Sequence, residues 1–210
     1  MNDVLIGILD IQLGNLTSVA NAVYESGFDY QLVSTPNDFK KITHLILPGV
    51  GFFSTAMAHI EKQNLKTAIL NFVLVDKKPT MGICLGFQLL SDYSEEGECE
   101  GLGLISGSVK KLISKHLLIP HTGWNSVLSQ VEHPVLKGIK TNRDFYFVHS
   151  FHFEVKDTKN ILSLTEYGNN IVSGIFRENI VGFQFHPEKS QNNGLKLIEN
   201  FCYWDGNSKC

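Results

Sequence analysis

No run of about 18 consecutive apolar residues occurs in this sequence, so nothing in it reads as a membrane-spanning helix. A secretory leader is not expected either, because Met1-Asn2-Asp3 carries an acid and passes directly into the short apolar run Val4–Leu9. Charge of one sign is scarce. The 18 Lys+Arg stand against 21 Asp+Glu, a formal net charge of −3, and no long block of like charge could track a phosphate backbone or an anionic bilayer. Nucleic-acid and membrane partners are therefore not expected. Cysteine is sparse: Cys84, Cys99, Cys202 and Cys210 form no CxxC pair and no zinc-type spacing. Free thiols in a reducing cytoplasm, with neither a disulfide scaffold nor a metal site, fit that pattern. No Ser/Gly linker, internal repeat or low-complexity segment divides the chain. With 43% hydrophobic and 19% charged residues it has the apolar mass for one core, and residues 1–210 read as a single domain.

The first half alternates short apolar strands with amphipathic helices. Val4–Leu9 reads as a buried strand, followed by Gly14-Asn15, where Asn15 can cap a helix carrying Leu16, Val19, Ala20 and Val23 to a stop at Gly27. His44–Leu47 runs into Pro48-Gly49-Val50-Gly51 and a helix through Ala56, Met57 and Ile60; Thr80–Ile83 runs into Cys84 and another helix. Repeated strand-to-helix crossovers predict an α/β domain with a central, mainly parallel sheet flanked by helices. After about residue 102 the pattern becomes β-rich, with strands predicted over 102–112, 124–128, 145–155, 161–167, 170–177 and 180–186. An amphipathic helix over 194–203 closes the chain.

Gly82-Ile83-Cys84-Leu85-Gly86 lies between a strand and a helix, the G-x-nucleophile-x-G arrangement of a tight elbow. A cysteine there sits at a helix N-terminus, where unpaired N–H groups favour the thiolate. The Leu85 amide is then expected to be free as an oxyanion donor. A buried structural cysteine between packing glycines is the plainer reading of the pentapeptide alone. Val181–Glu188 ends in His186-Pro187-Glu188: Pro187 pushes His186 into an extended conformation, and the i, i+2 spacing places Glu188 on the same side, able to orient a base. Pro48-Gly49-Val50-Gly51 follows a strand with two glycines, so the Val50 amide can supply a second oxyanion donor. A nucleophile, a base with its orienter, and two amide donors serve acyl transfer from an amide.

With these motifs, Gly82–Leu90 and Phe183–Ser190, the chain resembles the class I glutamine amidotransferases. Ile119-Pro120-His121-Thr122-Gly123-Trp124-Asn125 and Phe145–Ser150 make it similar, from end to end, to the glutaminase subunit of imidazole glycerol phosphate synthase. The resemblance implies a flavodoxin-like fold without a cofactor and a Cys84–His186–Glu188 triad. Cys84 would attack the side-chain amide of glutamine, His186 would pass a proton to leaving ammonia, and Glu188 would orient His186. It further implies oxyanion donors at Val50 and Leu85, glutamine contacts from Gly49, Gly51, Gln88, Glu96 (or Glu95) and the main chain around Ser150, and no metal. Asn15, Trp124 and Asn125 are carried over as partner contacts.

The implied partner is a HisF-like (β/α)8-barrel cyclase subunit, forming a cytoplasmic heterodimer that turns the released ammonia into imidazole glycerol phosphate for histidine biosynthesis. Thr122 departs from the family pattern, which usually has Met there. A paralogous branch that amidates a sugar for surface polysaccharide is the alternative, since Cys99–Gly103 and Gln191–Leu197 resemble it too. A non-catalytic regulatory module and a stand-alone thiol hydrolase are readings of another class. Intact Cys84, His186 and Glu188 count against the first, and the Pro120–Asn125 motif against the second.

Overall fold

The computed structural model describes residues 4–13 and 16–207. Asn15, expected as a helix cap and a partner contact, lies outside them, as does Cys210.

In chain order the strands are β1 (Leu5–Leu9), β2 (Asp29–Val33), β3 (His44–Leu47), β4 (Thr80–Ile83), β5 (Tyr93–Ser94), β6 (Cys99–Glu100) and β7 (Gly107–Lys111). They continue with β8 (His121–Ser129), β9 (Arg143–His149), β10 (Phe151–Val155), β11 (Ile161–Tyr167), β12 (Asn169–Arg177) and β13 (Ile180–Phe183). The α-helices are α1 (Leu16–Glu25), α2 (Phe53–Lys62), α3 (Leu65–Leu70), α4 (Leu85–Leu89) and α5 (Gln191–Tyr203). A nine-stranded sheet runs β2-β1-β3-β4-β13-β12-β11-β8-β9, and a four-stranded sheet runs β10-β7-β5-β6. The large sheet is parallel from β2 to β13 and antiparallel beyond, so the β-rich second half extends the parallel core. No helix among the described residues is long and apolar enough to cross a membrane.

Strand alternation sorts the continuous apolar runs onto two helical layers. Ile6, Ile8, Ile46, Met81, Ile83, Val181 and Phe183 pack with α1 and α5, through Val19, Val23, Leu197 and Phe201. Leu9, Leu45 and Leu47 face the other way, toward α2 and α4 through Phe53, Met57, Ile60 and Phe87. Burial on both faces is why these strands lack polar alternation. It also leaves the strand ends as the place where polar chemistry can emerge, and β4 and β13, adjacent and parallel, carry Cys84 and His186 to the same edge.

Several expectations change. The predicted strand over 145–155 breaks at Ser150 into β9 and β10, which belong to different sheets: His149 pairs with His121, whereas Phe151 pairs with Lys111. The predicted strand over 102–112 shrinks to β7. Leu102, Leu104 and Ile105 are buried beneath α4, and their amides donate to the carbonyls of Leu89 and Leu90, which draws them out of any ladder. β2 was not anticipated, because it is an edge strand on which only Val33 is buried.

Candidate active site

Cys84 occupies the turn from β4 to α4 with φ 52 and ψ −103, a backbone state that non-glycine residues seldom adopt. The turn holds it there because both flanking glycines are crowded. A Cβ on Gly82 would come within 2.6 Å of the Gly86 carbonyl oxygen, and one on Gly86 would collide with the Leu47 carbonyl. The Cys84 amide donates to the Phe183 carbonyl at 2.8 Å, tying the elbow to β13.

The end of β13 leads to His186, whose Nδ1 lies 2.7 Å from Glu188 Oε1, with both side chains nearly inaccessible. Strand alternation does not bring these two together. Pro187–Lys189 forms a 3-10 turn, and that turn swings Glu188 back onto the ring. Ser190 secures it, donating to the His186 carbonyl at 2.6 Å and accepting from the Tyr146 amide at 3.0 Å. The His186 amide donates to the Tyr146 carbonyl at 2.9 Å, so β9 braces the loop.

His186 Nε2 is buried without a formal hydrogen-bond partner among the described residues. Burial works against a charged ring, yet hydrogen bonding and charge from Cys84 and Glu188 outweigh it and raise the pKa to about 9. A pKa raised that far favours the charged imidazolium at neutral pH. Cys84 Sγ also lies 3.8 Å from the Val148 carbonyl and 3.8 Å from Gln184 Nε2. Neither Gln184 nor the Val148 carbonyl was singled out from the sequence. A polar residue inside the apolar run Phe183-Gln184-Phe185 was the available signal.

A cavity of about 220 Å3 opens beside the sulfur, lined by Val50, Gly51, Cys84, Leu85, Gln88, Glu96, Val148, His149, Ser150 and Phe151. Gly49 instead lines a smaller recess with His186 and Glu188. Glu96 faces the cavity, whereas Glu95 is engaged with the Lys111 amide on the exterior. Glu96 Oε2 accepts from the Phe53 amide at 2.9 Å, and burial raises its pKa. A cationic ligand group placed beside it would favour its charged form. Trp124 is 48% exposed and meets Tyr146 edge-on, while Asn125 is held within the chain.

The Leu85 amide is not free, contrary to expectation. It donates to the Gly49 carbonyl at 3.4 Å. The Gly49–Val50 peptide is trans, since the described cis bond is Ile119–Pro120, so its N–H points away from its own carbonyl. The Val50 amide is therefore turned from the place where Leu85 would meet an oxyanion.

The profile of the class-I glutamine amidotransferase family matches residues 7–204. The chain belongs to the class I glutamine amidotransferases. Within this family it is 44% identical to the imidazole glycerol phosphate synthase subunit HisH of Sulfurimonas denitrificans, covering 94% of this chain and 97% of that one. It is 42% identical to subunit HisH 2 of Methanococcus maripaludis, covering 94% and 98%. Among solved structures it is similar to PurLQS from Thermotoga maritima, at TM-score 0.75 and 18% identity over 94% of this chain and 97% of that one. A glutamine amidotransferase from Thermotoga maritima matches at TM-score 0.66 and 17% identity, over 95% and 82%. Both structural likenesses establish the amidotransferase fold.

Proposed function

We propose that this chain is the glutaminase subunit of an imidazole glycerol phosphate synthase. The observation that carries the reading is a strained Cys84 that lines a cavity sized for an amino acid and stands beside a buried, glutamate-paired His186. In the proposed reaction Cys84 Sγ attacks the side-chain carbonyl carbon of glutamine, and the oxyanion forms toward the Leu85 amide. His186 gives its proton to the leaving nitrogen, and ammonia departs as a γ-glutamyl thioester remains. Water then adds to the thioester with His186 as base, and glutamate leaves as the sulfur is released. Glu188 keeps the ring oriented throughout. Glu96 would receive the substrate α-ammonium, and Gln88 and the wall at Ser150 would fix the rest.

Neutral ammonia is a minor species in water near pH 7, so direct delivery to an acceptor subunit favours its use. A HisF-like (β/α)8-barrel cyclase is the proposed partner, docked over the surface that carries Trp124 and Asn125. Trp124 is 48% exposed, open to such a contact. The Gly49 carbonyl at the Leu85 amide fits a resting state that the partner converts by rotating one peptide.

Deleting the gene and supplying histidine tests the pathway. Auxotrophy relieved by histidine is expected, and prototrophy with an altered surface polysaccharide would favour the sugar-amidating alternative, to which Thr122 leaves room.

A further inference from the structure

Through the cavity wall runs a chain of hydrogen bonds that starts beside Trp124 and ends at the candidate nucleophile. Asn125 Nδ2 lies 2.9 Å from the Glu166 carbonyl oxygen, and Asn125 Oδ1 lies 2.8 Å from the Ser126 amide. One neighbour only accepts and the other only donates, so the orientation of this side-chain amide is fixed. Asn125 Nδ2 also lies 3.2 Å from His121 Nε2, which must then be an acceptor. A neutral His121 carries its proton on Nδ1, 2.9 Å from His149 Nε2. That nitrogen must accept in turn, which leaves the His149 proton on Nδ1, where it donates to the Phe151 carbonyl at 2.8 Å. Each step has one permitted direction.

Burial keeps both rings neutral, His121 near pKa 4 and His149 near 3. His121 is further held by stacking against Phe147 at 4.6 Å and Tyr167 at 3.9 Å between ring centroids.

The Phe151 carbonyl has two lone pairs, and the second takes Gln88 Nε2 at 3.0 Å. The same Gln88 nitrogen lies 3.1 Å from Gln184 Oε1, which turns Gln184 Nε2 toward Cys84 Sγ. Both Gln88 hydrogens are thus committed inside the protein, so Gln88 can present only its oxygen to the cavity it lines.

We infer that His121 and His149 are positioning residues of the glutamine site: a neutral imidazole pair in one tautomer that anchors the Phe151 carbonyl and so holds Gln88 as a hydrogen-bond acceptor toward substrate. The inference extends the glutaminase reading and depends on it for the identity of the substrate. It also gives the segment beside the exposed Trp124 a bonded route to the nucleophile.

The test pairs kinetics with imidazole nitrogen NMR, using the chain in complex with its barrel subunit. His149→Leu removes the donor to Phe151, whereas His149→Asn places an amide nitrogen near the lost Nδ1. Loss of one buried hydrogen bond should raise the KM for glutamine about tenfold in His149→Leu, with kcat far less affected and KM largely restored in His149→Asn. His121→Phe keeps the aromatic stack but cannot donate, and should shift KM the same way. In the wild type, spectra between pH 6 and 8 should show His149 protonated on Nδ1 alone. An unchanged KM in folded His149→Leu would overturn the inference, as would a His149 proton on Nε2. Absence of any wild-type glutamine turnover would overturn the glutaminase reading instead, and the spectra would still decide the tautomer.

Discussion

The carbonyl oxygen of Gly49 accepts a hydrogen bond from the Leu85 amide at 3.4 Å, occupying the donor that a tetrahedral oxyanion would need. Because a trans peptide sets C=O and N–H on opposite sides, one rotation of the Gly49–Val50 plane would both free Leu85 and bring Val50 in. A glycine on each side of Val50 makes that rotation sterically inexpensive. Glutamate release by the isolated chain is therefore expected to be slow, and saturating barrel partner with acceptor ligand should raise it by about 10²–10³, the worth of one oxyanion donor. Full turnover without partner would refute the resting-state reading.

Replacing Cys84 by Ala should abolish glutamine-dependent synthesis while leaving the complex active with added ammonium salt, because only the ammonia source is lost. Product formation with each nitrogen source checks this. Undiminished glutamate release would remove Cys84 from the chemistry.

Glu188→Gln keeps nucleophile and donors but withdraws the charge that faces His186 at 2.7 Å. Turnover should fall by roughly 10²–10⁴, the usual contribution of acid–base catalysis, and remain above that of Cys84→Ala. The His186 pKa, held at about 9 in part by Glu188, should drop. Activity that needs the imidazolium is lost as pH rises through that value, so the alkaline limb of kcat/KM should move to lower pH. An unmoved limb would deny Glu188 its electrostatic role.

Acid should destabilise the fold through its buried neutral histidines. Burial lowers the pKa of His121 and His133 to about 4 and of His149 to about 3, from 6.5 when exposed. Below 6.5 the unfolded chain binds protons that the native one does not, so stability is present above that pH and is lost as pH falls toward 4. Each such group contributes a slope of up to about 1.4 kcal/mol per pH unit. His186 has the opposite sign, but its contribution is already complete below 6.5 and does not offset the loss in this window. Urea midpoints at pH 7 and pH 5 measure the effect, and His133→Phe should flatten it. That ring packs against Phe176 and Trp204, and its Nε2 lacks a partner among the described residues.

Trp124→Ala should fold normally, because the indole is half exposed and meets the Tyr146 ring only edge-on. If Trp124 anchors the partner, the variant should lose most of the stimulation of glutaminase turnover while its unstimulated rate persists. Intact stimulation at saturating partner would acquit Trp124 alone.

The sequence by itself determined three strands of the parallel half of the sheet, because β1, β3 and β4 are buried on both faces and their apolar runs admit few other placements. It also determined the elbow, since glycines at 82 and 86 are the residues that so tight a turn can hold. The family followed from the order of the motifs around Pro48, Cys84, Trp124 and His186. Other features were decided only by the fold. Glu188 reaches His186 through a 3-10 turn that local alternation did not reveal, and the break at Ser150 depends on two sheets competing for adjacent residues. The state of the Leu85 amide depends on which side of one peptide faces it, a choice that the glycines leave open. The route from Asn125 to Cys84 joins residues up to about a hundred positions apart, as in the Gln184–Cys84 contact. Hydrogen bonds of that kind have no periodicity and no local motif, because each exists only once burial has removed water as the competing partner.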